Sequence, residues 1–163
     1  DDGMIRISDR NIDNLNIHVL REKVIYVSQK SKLFSGKLRD NLTFYKDVSD
    51  EVIQKILGIC QLELLIEKFK HGLDTEIEEE GKNLSVGEIQ RINIARALLL
   101  FPDCIIFDEA TSNLDKESES KIWDAIKRDY PEMIIFIISH DNNVIKNCEK
   151  IIKIEEGLSL IHI

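Results

Sequence analysis

An apolar run, Cys104-Ile105-Ile106-Phe107, leads directly into two adjacent carboxylates, Asp108 and Glu109. Paired carboxylates at a strand end suit a divalent cation. One can hold Mg²⁺ through water, and its neighbour can take a proton from an attacking water. Upstream, Leu84-Ser85-Val86-Gly87-Glu88-Ile89-Gln90-Arg91 opens a helical pattern. Ser85 with Glu88 three positions on is a capping box. The same turn offers exposed amides, a hydroxyl at Ser85 and no bulk at Gly87, which suits a phosphate. Gln90 and Arg91 fit a surface role equally well. Gln29 follows the β-rich run Val24 to Ser28, and its amide can bind Mg²⁺ or orient water. His140 follows the apolar run Ile134 to Ile138, where an imidazole can donate to a phosphate.

These residues need a sheet edge and a helix start to hold them. Cys104 to Phe107 and Ile134 to Ile138 are continuous apolar runs, the pattern of parallel strands buried on both faces. Glu117 to Arg128 is amphipathic and reads as the helix between them. Val24 to Ser28 is a third strand, Gly3 to Ser8 alternates like a strand, and Ile151 to Ile154 reads as a final one. In open α/β sheets ligands bind beyond the carboxyl ends of the strands. Gln29, Asp108, Glu109 and His140 all have that address. Short helices are expected over Leu15 to Leu20 and Asn142 to Asn147. Lys37 to Phe69 is helical in pattern, Gly72 to Lys82 is an acidic loop, and Val86 to Leu100 is a helix with Ile89, Ile92, Ile94, Ala95, Leu98 and Leu99 inward.

Bulk properties narrow the field. At 163 residues the chain suits one domain, and its net charge of −8 argues against nucleic acid as the main partner. Cys60, Cys104 and Cys148 are far apart with no metal-type spacing. Cys104 is expected to be a small buried hydrophobe. Met133 to Ile138 falls far short of the roughly 20 apolar residues that span a bilayer.

Taken together, the motifs resemble those of the ATP-binding cassette (ABC) ATPases, in order and over nearly the whole chain. Tyr-Val-Ser-Gln29 is similar to the Q-loop and Leu84 to Gln90 to the signature motif. Cys104 to Glu109 resembles the Walker B strand, Ser112 to Asp115 the D-loop, and His140 the switch histidine. The resemblance implies an α/β, P-loop NTPase-like core with a mostly parallel sheet and an inserted α-helical subdomain. It implies ATP and Mg²⁺ as ligands. Asp108, with Gln29, would serve the metal; Glu109 would be the general base; His140 would contact the γ-phosphate. Ser85, Val86, Gly87, Glu88, Gln90 and Asp115 would face ATP across a cassette dimer, so a second cassette is an implied partner. Val86 stands where the family usually has Gly, and Glu88 where it usually has Gln. Lys32 to Asn41 and Asp74 to Gly81 resemble exporter patterns. That implies a membrane-spanning domain, fused upstream, at the cytoplasmic face of the cell membrane.

One family motif does not occur in these 163 residues. The only Gly-Lys pairs, Gly36-Lys37 and Gly81-Lys82, are followed by Leu38 and Asn83 rather than Ser or Thr, so neither is a Walker A loop. Family order would put that loop upstream of residue 1. The chain is therefore expected to be truncated at its N-terminus, inactive alone and marginally stable, with exposed apolar surface. Leu158 to Ile163 matches what a common transposon-based sequencing adapter encodes in one frame, so it is expected to be a non-native tail. The expected division is core with Q-loop over 1–36, helical subdomain with signature over 37–100, core over 101–157 and tail over 158–163. Two other roles fit the same motifs: a soluble ABC ATPase without a transporter, and a non-catalytic cassette donating its signature motif in trans.

Overall fold

The computed structural model describes residues 3–141, 144–145, 148–155 and 158–162, with the backbone alone for 155 and 158–162. The centre is a parallel sheet of β3 (Val24–Ser28), β6 (Cys104–Asp108) and β7 (Ile134–Ile138), with β6 in the middle. β3 and β7 have the expected bounds, and β6 runs one residue past the expected end at Phe107 to include Asp108. Their register is in step: Ser28 lies opposite Asp108, and Asp108 opposite Ile138. The remaining strands pair at the periphery. β1 (Arg6–Ile7) with β2 (Arg10–Asn11) and β8 (Ile151–Glu155) with β9 (Leu158–His162) are antiparallel pairs. Sequence patterning reads the first of these pairs as one strand and places none at β9.

Alternation on the sheet sets the core. One face carries Ile25, Val27, Ile105, Phe107, Ile135 and Ile137, all within or against the buried cluster. Phe107 meets Trp123 of α6 (Lys116–Asp129) edge-on, with ring centroids 5.0 Å apart. The other face carries Tyr26, Ile106, Ile134, Phe136 and Ile138. Of these, Ile134 is 57% and Phe136 50% exposed. Burial of β7 on both faces is thus corrected, because no described helix covers that side. Cys104 is also only half-buried; Cys60 is the fully enclosed thiol, and burial drives its pKa far up.

Between β3 and β6 the chain is mostly helical. α2 (Leu38–Thr43), α3 (Asp50–Ile59) and α4 (Glu63–Lys68) precede α5 (Val86–Leu98); α1 (Ile17–Lys23) lies before β3. Ile53, Ile56, Leu57 and Ile59 of α3 point into the core, as their helical spacing requires. The acidic segment expected to be loop contains β5 (Glu76–Ile77), which pairs with β4 (Gly36–Lys37). α5 is enclosed around its circumference, from Ile92 through Leu98. Several of its polar side chains bond to backbone there rather than turn to water, while Asn93 Oδ1 and Arg91 Nε are buried without a hydrogen-bond partner among the described residues. Asn93 donates to the Ser31 carbonyl at 2.8 Å, and Arg96 donates to the Asn41 carbonyl at 2.7 Å and the Asn41 side chain at 2.8 Å. Of the helix expected over 142–147, Val144 and Ile145 are helical, and Asn142, Asn143, Lys146 and Asn147 lie outside the described residues.

Candidate functional site

The parallel register explains why residues far apart in sequence share one edge. The row Ser28–Asp108–Ile138 ends the sheet, so the next residues, Gln29, Glu109 and Ser139, emerge side by side. Two backbone bonds carry the register past the strand ends. Gln29 N–H donates to the Asp108 carbonyl at 2.8 Å, and Glu109 N–H to the Ile138 carbonyl at 3.0 Å.

Glu109 has φ 53°, in the left-handed region. A non-glycine residue there costs on the order of 1–2 kcal/mol, and such residues cluster at functional sites. Its carboxylate Oε1 lies 2.7 Å from His140 Nδ1. The two side chains differ in surroundings: that of His140 is 85% exposed and that of Glu109 24%. Both line a cavity of about 220 Å³ together with Thr111, Ser112, Ser139 and Asp141. Asp108 accepts a short hydrogen bond from the Tyr26 hydroxyl, and that bond holds the phenol pKa above its ordinary value.

A turn from Glu109 leads to Asp115, which caps α6 by accepting from Ser118 N–H at 2.9 Å; the bond depresses its pKa. Within this turn the Ser112 hydroxyl oxygen accepts from Gln29 Nε2 at 3.2 Å, Gln90 Nε2 at 3.3 Å and Asn113 Nδ2 at 3.2 Å. Gln90 also accepts from Asn113 N–H at 3.0 Å. The start of α5 forms the expected capping box. Glu88 accepts from the Ser85 N–H and hydroxyl, both at 2.7 Å, and Ser85 accepts from Glu88 N–H. A Cβ on Gly87 would stand 3.4 Å from the Asn113 carbonyl, so α5 closely approaches the turn after Glu109.

Residues 1–112 match the profile of the ABC transporter family. The chain belongs to that family. It is 39% identical over 160 residues to the ATP-dependent lipid A-core flippase of Pasteurella multocida, a match over 96% of this chain and 27% of the flippase. It is 36% identical over 156 residues to P-glycoprotein 14 of Caenorhabditis elegans, which covers 95% of this chain and 12% of that protein. A bacterial Atm1-family ABC exporter, solved with ATP bound, superposes with TM-score 0.90 at 29% identity, over 96% of this chain and 27% of that one. The chain thus has the fold of an ABC transporter's ATP-binding domain of exporter type. It spans about a quarter of the length of the bacterial relatives it matches.

Seen as part of an ABC transporter, the expected site residues fall into two groups. Gln29, Asp108, Glu109 and His140 meet at the sheet edge, and Gln90 reaches them through Ser112. Ser85, Val86, Gly87 and Glu88 form a separate turn, absent from the lining of the cavity that holds Glu109 and His140. Val86 is 59% exposed there, an apolar side chain on an otherwise polar turn. Asp115 serves as a helix cap. Two participants escaped the sequence reading as site residues, Tyr26 and Ser112. Tyr26 lies two positions before Ser28 and so shares its face, a parity that marks it as a neighbour of Asp108 once the register is known.

The described residues offer oxygen atoms suited to a hard cation but no enclosure for a whole nucleotide. Asp108 and Gln29 supply oxygen atoms, as a hard cation requires. The Glu109–His140 cavity is smaller than the roughly 300 Å³ at which small-molecule pockets begin. No group of His, Cys, Asp and Glu among the described residues forms a complete metal cage by itself.

Proposed function

We propose that these residues form most of the ATP-hydrolysing cassette of an ABC exporter. It works at the cytoplasmic face of a membrane, joined to a membrane-spanning domain and paired with a second cassette. The observation that carries this reading is the shared sheet edge, with Glu109 and His140 2.7 Å apart beside Asp108 and Gln29. In that arrangement Asp108 and the Gln29 side-chain carbonyl would hold Mg²⁺, which would neutralise charge at the terminal phosphates. Glu109 takes the proton of the attacking water at Oε1. His140 orients that carboxylate through Nδ1 and offers its other ring nitrogen to phosphate oxygen. Ser85 and the amides after it present a second phosphate contact to the partner cassette's nucleotide.

The division into core (1–36 and 101–157) and helical subdomain (37–100) belongs to the same reading. It is supported by β3, β6 and β7 all lying outside 37–100. The phosphate-cradling Walker A loop comes from sequence other than these 163 residues, so this chain alone is expected to be inactive. The uncovered sheet face with Phe136 and Ile134 is in keeping with a missing layer.

Sequencing the source DNA through both ends of the reading frame tests the proposal directly. A Gly-x-x-x-x-Gly-Lys-Ser/Thr loop preceded by membrane-spanning helices is the expected result. A stop codon just before Asp1 would overturn it and leave the trans-acting signature donor as the reading to assay. In the completed protein, Glu109→Gln is expected to lower kcat by about 100-fold or more, with ATP binding retained. Undiminished turnover would remove Glu109 from the role of base.

A further inference from the structure

We infer that the Ser112 hydroxyl is a shared acceptor that sets the side-chain position of Gln29 and links it to the start of α5. The inference rests on the proposed role of Gln29 but reaches a residue that role does not include. A hydroxyl oxygen has two lone pairs. Ser112 Oγ faces three amide donors, from Gln29, Gln90 and Asn113, at 3.2, 3.3 and 3.2 Å. All are longer than the 2.9–3.0 Å that an unhindered N–H···O bond adopts. The donors compete, and strengthening one weakens another.

The competitors are unequal. Gln90 is 4% exposed, and its carbonyl end is already committed to Asn113 N–H. Releasing its amide nitrogen would strand a buried donor, which is costly. Gln29 is exposed, so water can replace Ser112 at little cost. Its backbone is pinned by the 2.8 Å bond to the Asp108 carbonyl, which leaves the side chain as the part that moves. The carboxamide is planar, so holding Nε2 also fixes the direction of Oε1, the atom suited to a metal. Ser112 therefore positions Gln29 while bound to it. When Gln29 turns away, the hydroxyl passes to Gln90, which holds the backbone of the turn after Glu109. Ser112 is a positioning residue, and its effect runs between the sheet edge and α5.

The test uses the 163-residue chain without nucleotide and reads the side-chain amide resonances of Gln29 and Gln90 by NMR. Gln29→Ala removes one competitor at an exposed position. It is expected to slow hydrogen exchange of the Gln90 Nε2 protons by at least about twofold. In a Ser112→Ala background the same substitution should leave Gln90 unchanged, and Ser112→Thr, which keeps the hydroxyl, should restore the response. An unchanged Gln90 in Gln29→Ala alone overturns the inference, whatever the fate of the Ser112→Ala protein. So does a response that persists without the hydroxyl. Because no ATP is present, a chain that never hydrolyses it can still pass, and an active transporter can still fail.

Discussion

The sheet has two apolar faces that share the same strands and fare differently. On one, Phe107 is 1% exposed and packs against Trp123, with Ile105 fully enclosed beside it. On the other, Phe136 is half exposed, and Ile134, Ile138 and Tyr26 are comparably open. Residue type does not separate the faces, since both are rich in Ile with one Phe each. What differs is the layer above them: α6 and its neighbours cover the first face, and no described helix covers the second. Hydrophobicity therefore says where a strand wants cover, and chain topology decides which cover it has.

The comparison can be broken by cutting the corresponding aromatic from each face. Phe107→Ala should destabilise the chain by about 3–5 kcal/mol, through lost transfer energy and the cavity left behind. Urea unfolding followed by far-UV circular dichroism would measure it. A loss below about 1 kcal/mol would mean that the covered face is no better packed than the bare one. Phe136→Ser should shift stability by no more than about 0.5 kcal/mol, as surface changes do, while reducing self-association in sedimentation velocity. A large stability loss would show that the bare face is covered in solution.

The smallest effect concerns the cap of the covering helix. Asp115 has its pKa lowered by the Ser118 hydrogen bonds that begin α6. A depressed carboxyl contributes stability that is present above its unfolded pKa of about 4 and lost as pH falls through the folded value. Asp115→Asn keeps a good cap, so stability at pH 7 should barely change. Its acid-unfolding curve should be flatter than the parent's below about pH 4. Superimposable curves would show that the cap contributes nothing to the acid limb.

Much of this architecture was legible in the residues. β3 and β7 match their expected spans, and β6 exceeds its own by Asp108 alone, because apolar β-rich runs bounded by polar residues are strong strand signals. Gln29, Glu109 and His140 have a common address after parallel strands, and of these Glu109 and His140 touch directly. A continuous apolar run does not reveal how many of its faces are covered, which is why the exposure of β7 was missed. β4 and β5 are two residues each, too short to show a period. The sequence leaves Gln90 open between the surface and the site and gives no signal for the burial of Asn93 and Arg96, whose partners are carbonyls of distant segments. Tyr26 and Ser112 lie within the Q-loop and D-loop resemblances without a role assigned to either, and their contacts follow only from the register and the turn.

The buried polar side chains of α5 have a mechanical consequence. Gln90, Asn93 and Arg96 recur every third residue, and each grips a different stretch of chain. They hold the Ser112–Asn113 turn, the Ser31 carbonyl just past Gln29, and the Lys32 and Asn41 carbonyls in turn. Arg96 does so as a cation lodged 4.7 Å from the centre of the Phe44 ring, and burial brings its pKa down to about 10. A helix of this length is a stiff rod of about 20 Å. The Ser85 end therefore cannot tilt by itself: any displacement there swings the far end as a lever would, dragging α2 and the strand-exit loops on the same stroke.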